Sequence, residues 1–155
     1  MQPRLNVVLV EPEIPPNTGN VGRLCHCIGA RLHLVEPLGF SLEKKQLRRA
    51  GMDYWHNIDL RRWSSLDAFL DGLDSGSRTW LFSTKADREY WDVEFREGDF
   101  LVFGRETRGL PETLLNSRSE SCLRIPMTEN GRSLNLATAV AIGSFEALRQ
   151  IRISG

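Results

Sequence analysis

The chain reads as an α/β protein: a mostly parallel sheet with helices on both faces. Three observations predict this. Short apolar, β-rich runs alternate with helix-like segments along the whole length. Residues 101–111, LVFGRETRGLP, run from an apolar strand into a glycine loop and then into a helix start, as open α/β sheets do where they bind nucleotide-like ligands. Finally, 155 residues with 41% hydrophobic and 26% charged residues suit a single domain, here taken as 1–155.

The elements follow in order. Residues 5–10 form a buried strand, broken by Pro12, Pro15 and Pro16. Asn17 or Thr18 caps a helix reaching Ile28, and Gly29 ends it. A second strand covers 32–35 and stops before Pro37 and Gly39. Ser41 caps a basic helix to about Ala50, with Gly51 as its stop. Residues 53–59 are read as a short strand. Leu66, Phe69, Leu70 and Leu73 repeat at helical spacing, giving a helix over 65–73. Strands follow at 80–83, 100–103 and 122–125, with polar irregular chain over 85–98 and a short helix over 111–116. The closing helix spans 136–151, with Val140, Ala147, Leu148 and Ile151 on its apolar side.

Composition excludes several classes. No apolar run reaches the roughly 18–20 residues of a membrane span, and the start of the chain lacks signal-peptide design, so a cytoplasmic protein is expected. Cys25 and Cys27, two apart on a helix, point in different directions, and neither they nor Cys122 form a ligand set with His26, His33 or His56. No metal is expected. The dinucleotide fingerprint, the phosphate loop, the nucleophile elbow and the zinc-protease motif are all absent.

Three segments carry chemistry. In IPPNTGNVGR, 14–23, Asn17, Asn20 and Arg23 recur every third residue near a helix start. They read either as a capped helix with an exposed arginine or as a phosphate or ribose site. In LVFGRETRGLP, Gly104 lets a ligand approach the backbone and Gly109 with Pro111 sets the loop exit. In 125–138, Ser133 or Asn135 caps the last helix, or presents a hydroxyl and free N–H groups beside the Gly104 loop. Net charge is zero, yet Lys44, Lys45, Arg48 and Arg49 cluster at helical spacing, as a solvated face or as a phosphate-binding patch.

Taken together and in this order, the three segments are specific. The chain closely resembles the SPOUT class of RNA methyltransferases, and within it the small ribose 2′-O-methyltransferases of the tRNA wobble nucleotide. The resemblance covers nearly all of the chain: IPPNTGNVGR, LVFGRETRGLP and IPMTENGRSLNLATAVAI are similar to the family's three motifs, and LRRAGMDYW, 47–55, to a stretch of the wobble subgroup. Arg105 stands where some relatives carry proline. The resemblance implies a C-terminal trefoil knot, where periodicity alone gives an unknotted doubly wound sheet. It implies a homodimer acting on the tRNA anticodon stem-loop, with S-adenosylmethionine held near Phe82, Gly104, Ile125, Ser133 and Leu134. Arg23 would be a clamp on the target phosphate and hydroxyl, Asn17 and Asn20 would orient loop and ribose, and Lys44, Lys45, Arg48 and Arg49 would contact RNA. Glu106 is either a general base or, as preferred here, a carboxylate that structures its loop.

Overall fold

The computed structural model describes residues 3–49 and 55–154. Within them, six strands form one sheet: β1 (Asn6–Val10), β2 (Arg31–Val35), β3 (Leu60–Trp63), β4 (Thr79–Phe82), β5 (Phe100–Phe103) and β6 (Cys122–Leu123). Their order is β3-β2-β1-β5-β4-β6, and every pairing is parallel. Four helices lie between strands, α1 (Pro15–Ile28), α2 (Lys44–Arg49), α3 (Leu66–Asp71) and α4 (Glu112–Ser117), and α5 (Leu136–Ser154) follows the last.

Parallel strands need crossovers, and crossovers cover both faces of the sheet, so alternate residues of a central strand are all buried. Along β1, Val7 and Leu9 join a core under α1 and α5 with Val21, Cys25, Val140 and Ala147. Val8 and Val10 join the opposite core with Phe69, Leu114 and Leu115 of α3 and α4. The chain runs outward from β1 to β3 on one side and lays β5, β4 and β6 on the other. The sheet's switch point is therefore between β1 and β5, where ligands meet the carboxyl ends of the strands.

Several boundaries differ from the sequence reading. The third strand is at Leu60–Trp63, not over 53–59; residues 55–57 form a 3-10 turn, and 53–54 lie outside the described residues. Being an edge strand it carries outward charges, Arg61 against Asp59 at 3.3 Å and Arg62 against Glu36 at 2.7 Å, which masked it in the sequence. The turn residues Trp55 and Ile58 pack on α1 at Gly22, where an added Cβ would sit 2.7 Å from Ile58 Cδ1. The Ser41 hydroxyl accepts from Glu43 N, so it caps the turn before α2, and the expected stop at Gly51 lies outside the described residues. Strand β6 is shorter than expected, but Arg124 continues its path through a bridge to Glu89. Gly29 ends α1 as the sequence predicts, in the left-handed conformation, and α3 opens on Ser65, whose Oγ accepts from Ala68 N. Cys25 is buried and Cys27 exposed, so the two thiols do face apart.

Candidate active site

The site is built at the carboxyl ends of β4 and β5. A cleft of about 640 Å³ opens there, in the range of small-molecule sites. Phe82 and Phe103 form its base, stacked with ring centroids 4.6 Å apart and planes 17° off parallel. Helix α5 presses on this pair at Gly143, where a Cβ would be 2.9 Å from Phe82 Cζ. One wall is the glycine loop from Gly104 to Leu110, and the other comes from Ile125, Met127 and the stretch from Ser133 to Leu136.

The glycine loop closes on itself. Arg105 N donates to Gly109 O at 3.2 Å and Gly109 N to Arg105 O at 2.9 Å. Gly109 sits at φ +68°, where a side chain is strained. A Cβ on Gly104 would run into the Gly109 carbonyl and Leu110 N. The space on its Cβ side is thus taken by the loop's own backbone, while Gly104 itself lines the cleft.

Glu106 ties the loop to the start of α1. The helix begins at Pro15, two residues before the expected cap, and Ile14 at its N-cap supplies no side-chain hydrogen bond. Pro15 and Pro16 have no N–H to satisfy. The neighbouring donors are met from far along the chain: Glu13 N donates to Glu106 Oε1 at 2.8 Å and Ile14 N to Oε2 at 2.7 Å. A carboxylate at a helix N-terminus also complements its dipole. Return contacts come from Thr107, whose N and Oγ1 both donate to Glu13 Oε1; these bonds hold the Glu13 carboxyl below its usual pKa. Arg105 Nε lies 3.6 Å from Glu11 Oε2.

Asn17 is the junction of all three motifs. It is buried, its Nδ2 donates to Glu106 Oε2 at 3.4 Å, and its Oδ1 accepts from Asn135 Nδ2 at 2.9 Å. Asn135 in turn caps α5, accepting from Thr138 N through Oδ1. Of the two caps the sequence offered for this helix, Asn135 is the one used. Loops about ninety to one hundred and twenty residues apart are thus bonded into one frame around the cleft.

The structure brings together all five residues expected around the cofactor: Phe82, Gly104, Ile125, Ser133 and Leu134 line the cleft, with Asn17 and Glu106. Asn20 and Arg23 lie on the exposed side of α1 and do not line it. Lys45, Arg48 and Arg49 are exposed on α2, also away from the cleft lining, and Lys44 is the first residue of that helix. The roles of Glu13 and Thr107, and the linking role of Asn135, had no signal in local spacing, since their partners are remote in sequence. Among the described residues, no group of three or more His, Cys, Asp or Glu could hold a metal, and no helix is long and apolar enough to cross a membrane.

Comparison with known proteins agrees with this architecture. The SpoU rRNA Methylase family matches residues 4–145. The tRNA (cytidine(34)-2′-O)-methyltransferase of Saccharophagus degradans is 48% identical over 151 residues, covering 97% of both chains. The protein of the same name from Escherichia coli K12 is 45% identical over 152 residues, 97% of this chain and 96% of the other. A solved structure described as giving insight into 2-OH methylation of C/U34 on tRNA superposes with a TM-score of 0.87 at 49% identity, covering 94% and 95% of the two chains. The SpoU methyltransferase AviRb of Streptomyces viridochromogenes, solved in complex with AdoMet, gives 0.81 at 25% identity over all of this chain and 63% of the other. Matched over residues 4–145 by the family model and over 97% of its length by relatives 45–48% identical to it, this chain belongs to the SpoU methylase family.

Proposed function

We propose that this protein methylates the ribose 2′-hydroxyl of the wobble nucleotide in the tRNA anticodon loop, with S-adenosylmethionine as donor. The observation that carries the reading is the single cleft onto which all three motifs converge, cross-linked through Asn17, together with the relatives of that activity matched over the full chain.

The cleft suits the donor. Ile125, Leu134 and Leu115 offer apolar walls for a flat base, while Ser133, Asn135 and backbone groups offer a polar edge. When bound, S-adenosylmethionine supplies a methyl group on a positively charged sulfur that needs no further activation. The protein's task is then to aim the hydroxyl in line, and orientation alone accounts for roughly 7–11 kcal/mol of such barriers. Glu106 does not act as the base, because its oxygens already accept from Glu13 N, Ile14 N and Asn17. Arg23 does not either, since a guanidinium keeps its protons. Arg23 clamps the target phosphate and hydroxyl, Asn20 orients the ribose, and Asn17 holds the loops. A phosphate oxygen or water takes the proton.

The molecule works as a homodimer in the cytoplasm. Arg23 is six residues beyond Asn17, about 9 Å further along the axis of α1, so a cleft completed by a partner's Arg23 fits its position better than its own. The segment after β6 starts at the sheet edge and returns to Asn17 across the ends of β4 and β5. That path supports a trefoil knot around the glycine loop. Lys44, Lys45, Arg48 and Arg49 hold the stem phosphates.

Incubation with methyl-labelled S-adenosylmethionine and total tRNA, followed by mapping of the label, tests the activity. Label at the wobble ribose is expected. Label on ribosomal RNA alone, or RNA binding without transfer, would replace this reading with another.

A further inference from the structure

Four charged residues line the cleft: Lys85, Arg105, Glu106 and Arg108. Three of them are held by partners within the chain. Lys85 Nζ lies 3.0 Å from Glu112 Oε1, and Arg105 Nε lies 3.6 Å from Glu11 Oε2. Glu106 accepts from the backbone of Glu13 and Ile14 and from Asn17. Arg108 is exposed, and among the described residues its side chain has neither a hydrogen bond nor an ion pair. The carboxylate whose field reaches it is Glu13, and the Oε1 of that group already accepts twice from Thr107.

The backbone at Arg108, by contrast, is held from both sides. Glu106 and Thr107, just before it, are bonded to the segment that opens α1. Just after it, Gly109 N donates to Arg105 O at 2.9 Å. The loop thus fixes where this guanidinium leaves the chain and leaves its donors to whatever enters the cleft. An anion suits it best. S-adenosylmethionine carries a sulfonium and an ammonium against one carboxylate, so it is a net cation and gains little from an unpaired arginine. A phosphate of the RNA is a pure anion. The 3′-phosphate sits on the carbon next to the one that bears the 2′-hydroxyl, so it reaches the cleft whenever that hydroxyl does, whatever the base.

We propose that Arg108 binds the phosphate on the 3′ side of the target nucleotide and so sets the direction from which the 2′-hydroxyl meets the methyl group. The inference rests on the reading of this cleft as an RNA-methylating site. A planar guanidinium presents paired N–H donors that match phosphate oxygens, and here the backbone that carries it is already in place. Unlike Arg23, which lies off the lining, Arg108 belongs to the cleft itself, so its contact is made by the chain that holds the donor.

The test uses the full chain, Arg108→Ala and Arg108→Lys, and a synthetic anticodon stem-loop with an uncharged methylphosphonate on either the 3′ or the 5′ side of the target nucleotide. Arg108→Ala should raise the Kd and KM for the unmodified RNA about tenfold or more, as loss of a charged hydrogen bond does. It should also flatten the dependence of log Kd on log salt by about 0.7–0.9 in slope. Arg108→Lys should keep the slope and recover part of the affinity. The 3′-methylphosphonate RNA should bind wild type about tenfold less tightly, with no further loss on Arg108→Ala, because both changes remove the same contact. The 5′ substitution should leave the cost of Arg108→Ala as it is. Affinity for S-adenosylmethionine, read by calorimetry, should not change. Losses that multiply with the 3′ substitution, or coupling to the 5′ one instead, would overturn the proposal. So would weaker S-adenosylmethionine binding with RNA affinity kept, which would give Arg108 to the carboxylate of the cofactor. Binding is read without turnover, so the two readings fail separately. Coupling to the 3′-phosphate in a protein that transfers no methyl refutes the activity alone, and wobble methylation without that coupling refutes the contact alone.

Discussion

His33 shows how far geometry can decide chemistry at a single residue. Its Nδ1 accepts from Trp63 Nε1 at 3.0 Å, so the proton is on Nε2, which donates to Asn6 Oδ1 at 2.9 Å. A second proton would face the indole N–H, and burial, together with the cations of Arg31 and Arg61, lowers the pKa from 6.5 to about 4. A histidine depressed in the folded state contributes stability that is full above its unfolded value and is lost as pH falls from about 6.5 to about 4, by about 3 kcal/mol. Urea midpoints followed between pH 7 and pH 4 should fall in the wild type and fall less in His33→Asn; parallel slopes would assign the effect to other groups. Gly104 makes the complementary point. The sequence marks a position that rejects a side chain, but not what excludes it, because the obstructing Gly109 carbonyl and Leu110 N arrive only when the loop folds back. Gly104→Ala should therefore loosen the loop and raise the Kd for S-adenosylmethionine at least tenfold in calorimetry, with the far-ultraviolet spectrum preserved. Wild-type affinity would mean that the loop adapts at no expense to the site.

At the scale of elements, the buried strands were legible because their apolar runs are continuous, as a sheet covered on both faces requires. The edge strand β3 was not, because Arg61 and Arg62 give it a polar surface and its pairing partner β2 is remote in sequence. Helix α1 was legible in extent but not in its cap, since the capping carboxylate is Glu106, 92 residues beyond Ile14. That cap separates two roles for Glu106. In Glu106→Gln the amide end must face at least one N–H donor it cannot accept, a loss of about 1–3 kcal/mol. The variant should melt lower and bind cofactor more weakly, while its kcat keeps the wild-type pH profile. Disappearance of an acidic limb from that profile would restore Glu106 as a base. Helix α2 is a matter of charge. Replacing Lys45 and Arg48 by glutamate should weaken tRNA binding and flatten its dependence on log salt by about two contacts' worth, roughly 1.8 in slope, with cofactor affinity unchanged. An unaltered slope would return α2 to a solvated face.

For the whole molecule, alternation of strands and helices was enough to reach a parallel sheet, and the order of the motifs was enough to reach the family. Periodicity says nothing of the order β3-β2-β1-β5-β4-β6 or of how the chain returns from β6 to Asn17, because both depend on contacts with no local pattern. Assembly is equally invisible to it, and here the position of Arg23 is the guide. It is exposed on α1 and outside the cleft lining, and we propose that it serves a site completed by a second copy. Two-fold symmetry would then give two equivalent sites, each with a cofactor cleft from one protomer and an arginine from its partner. Arg23→Ala and Gly104→Val should each be inactive as homodimers, the first for want of the clamp and the second because its loop no longer closes. A mixed dimer should regain methyl transfer: the Arg23→Ala protomer keeps a sound cleft, and the Gly104→Val protomer supplies the arginine to it. One of the two sites is then complete, so about half the wild-type rate per dimer is expected from a heterodimer purified through two affinity tags. Were each site built within one chain, neither half would be complete and mixing would recover nothing. A heterodimer no faster than the two parent homodimers would place Arg23 with its own cleft.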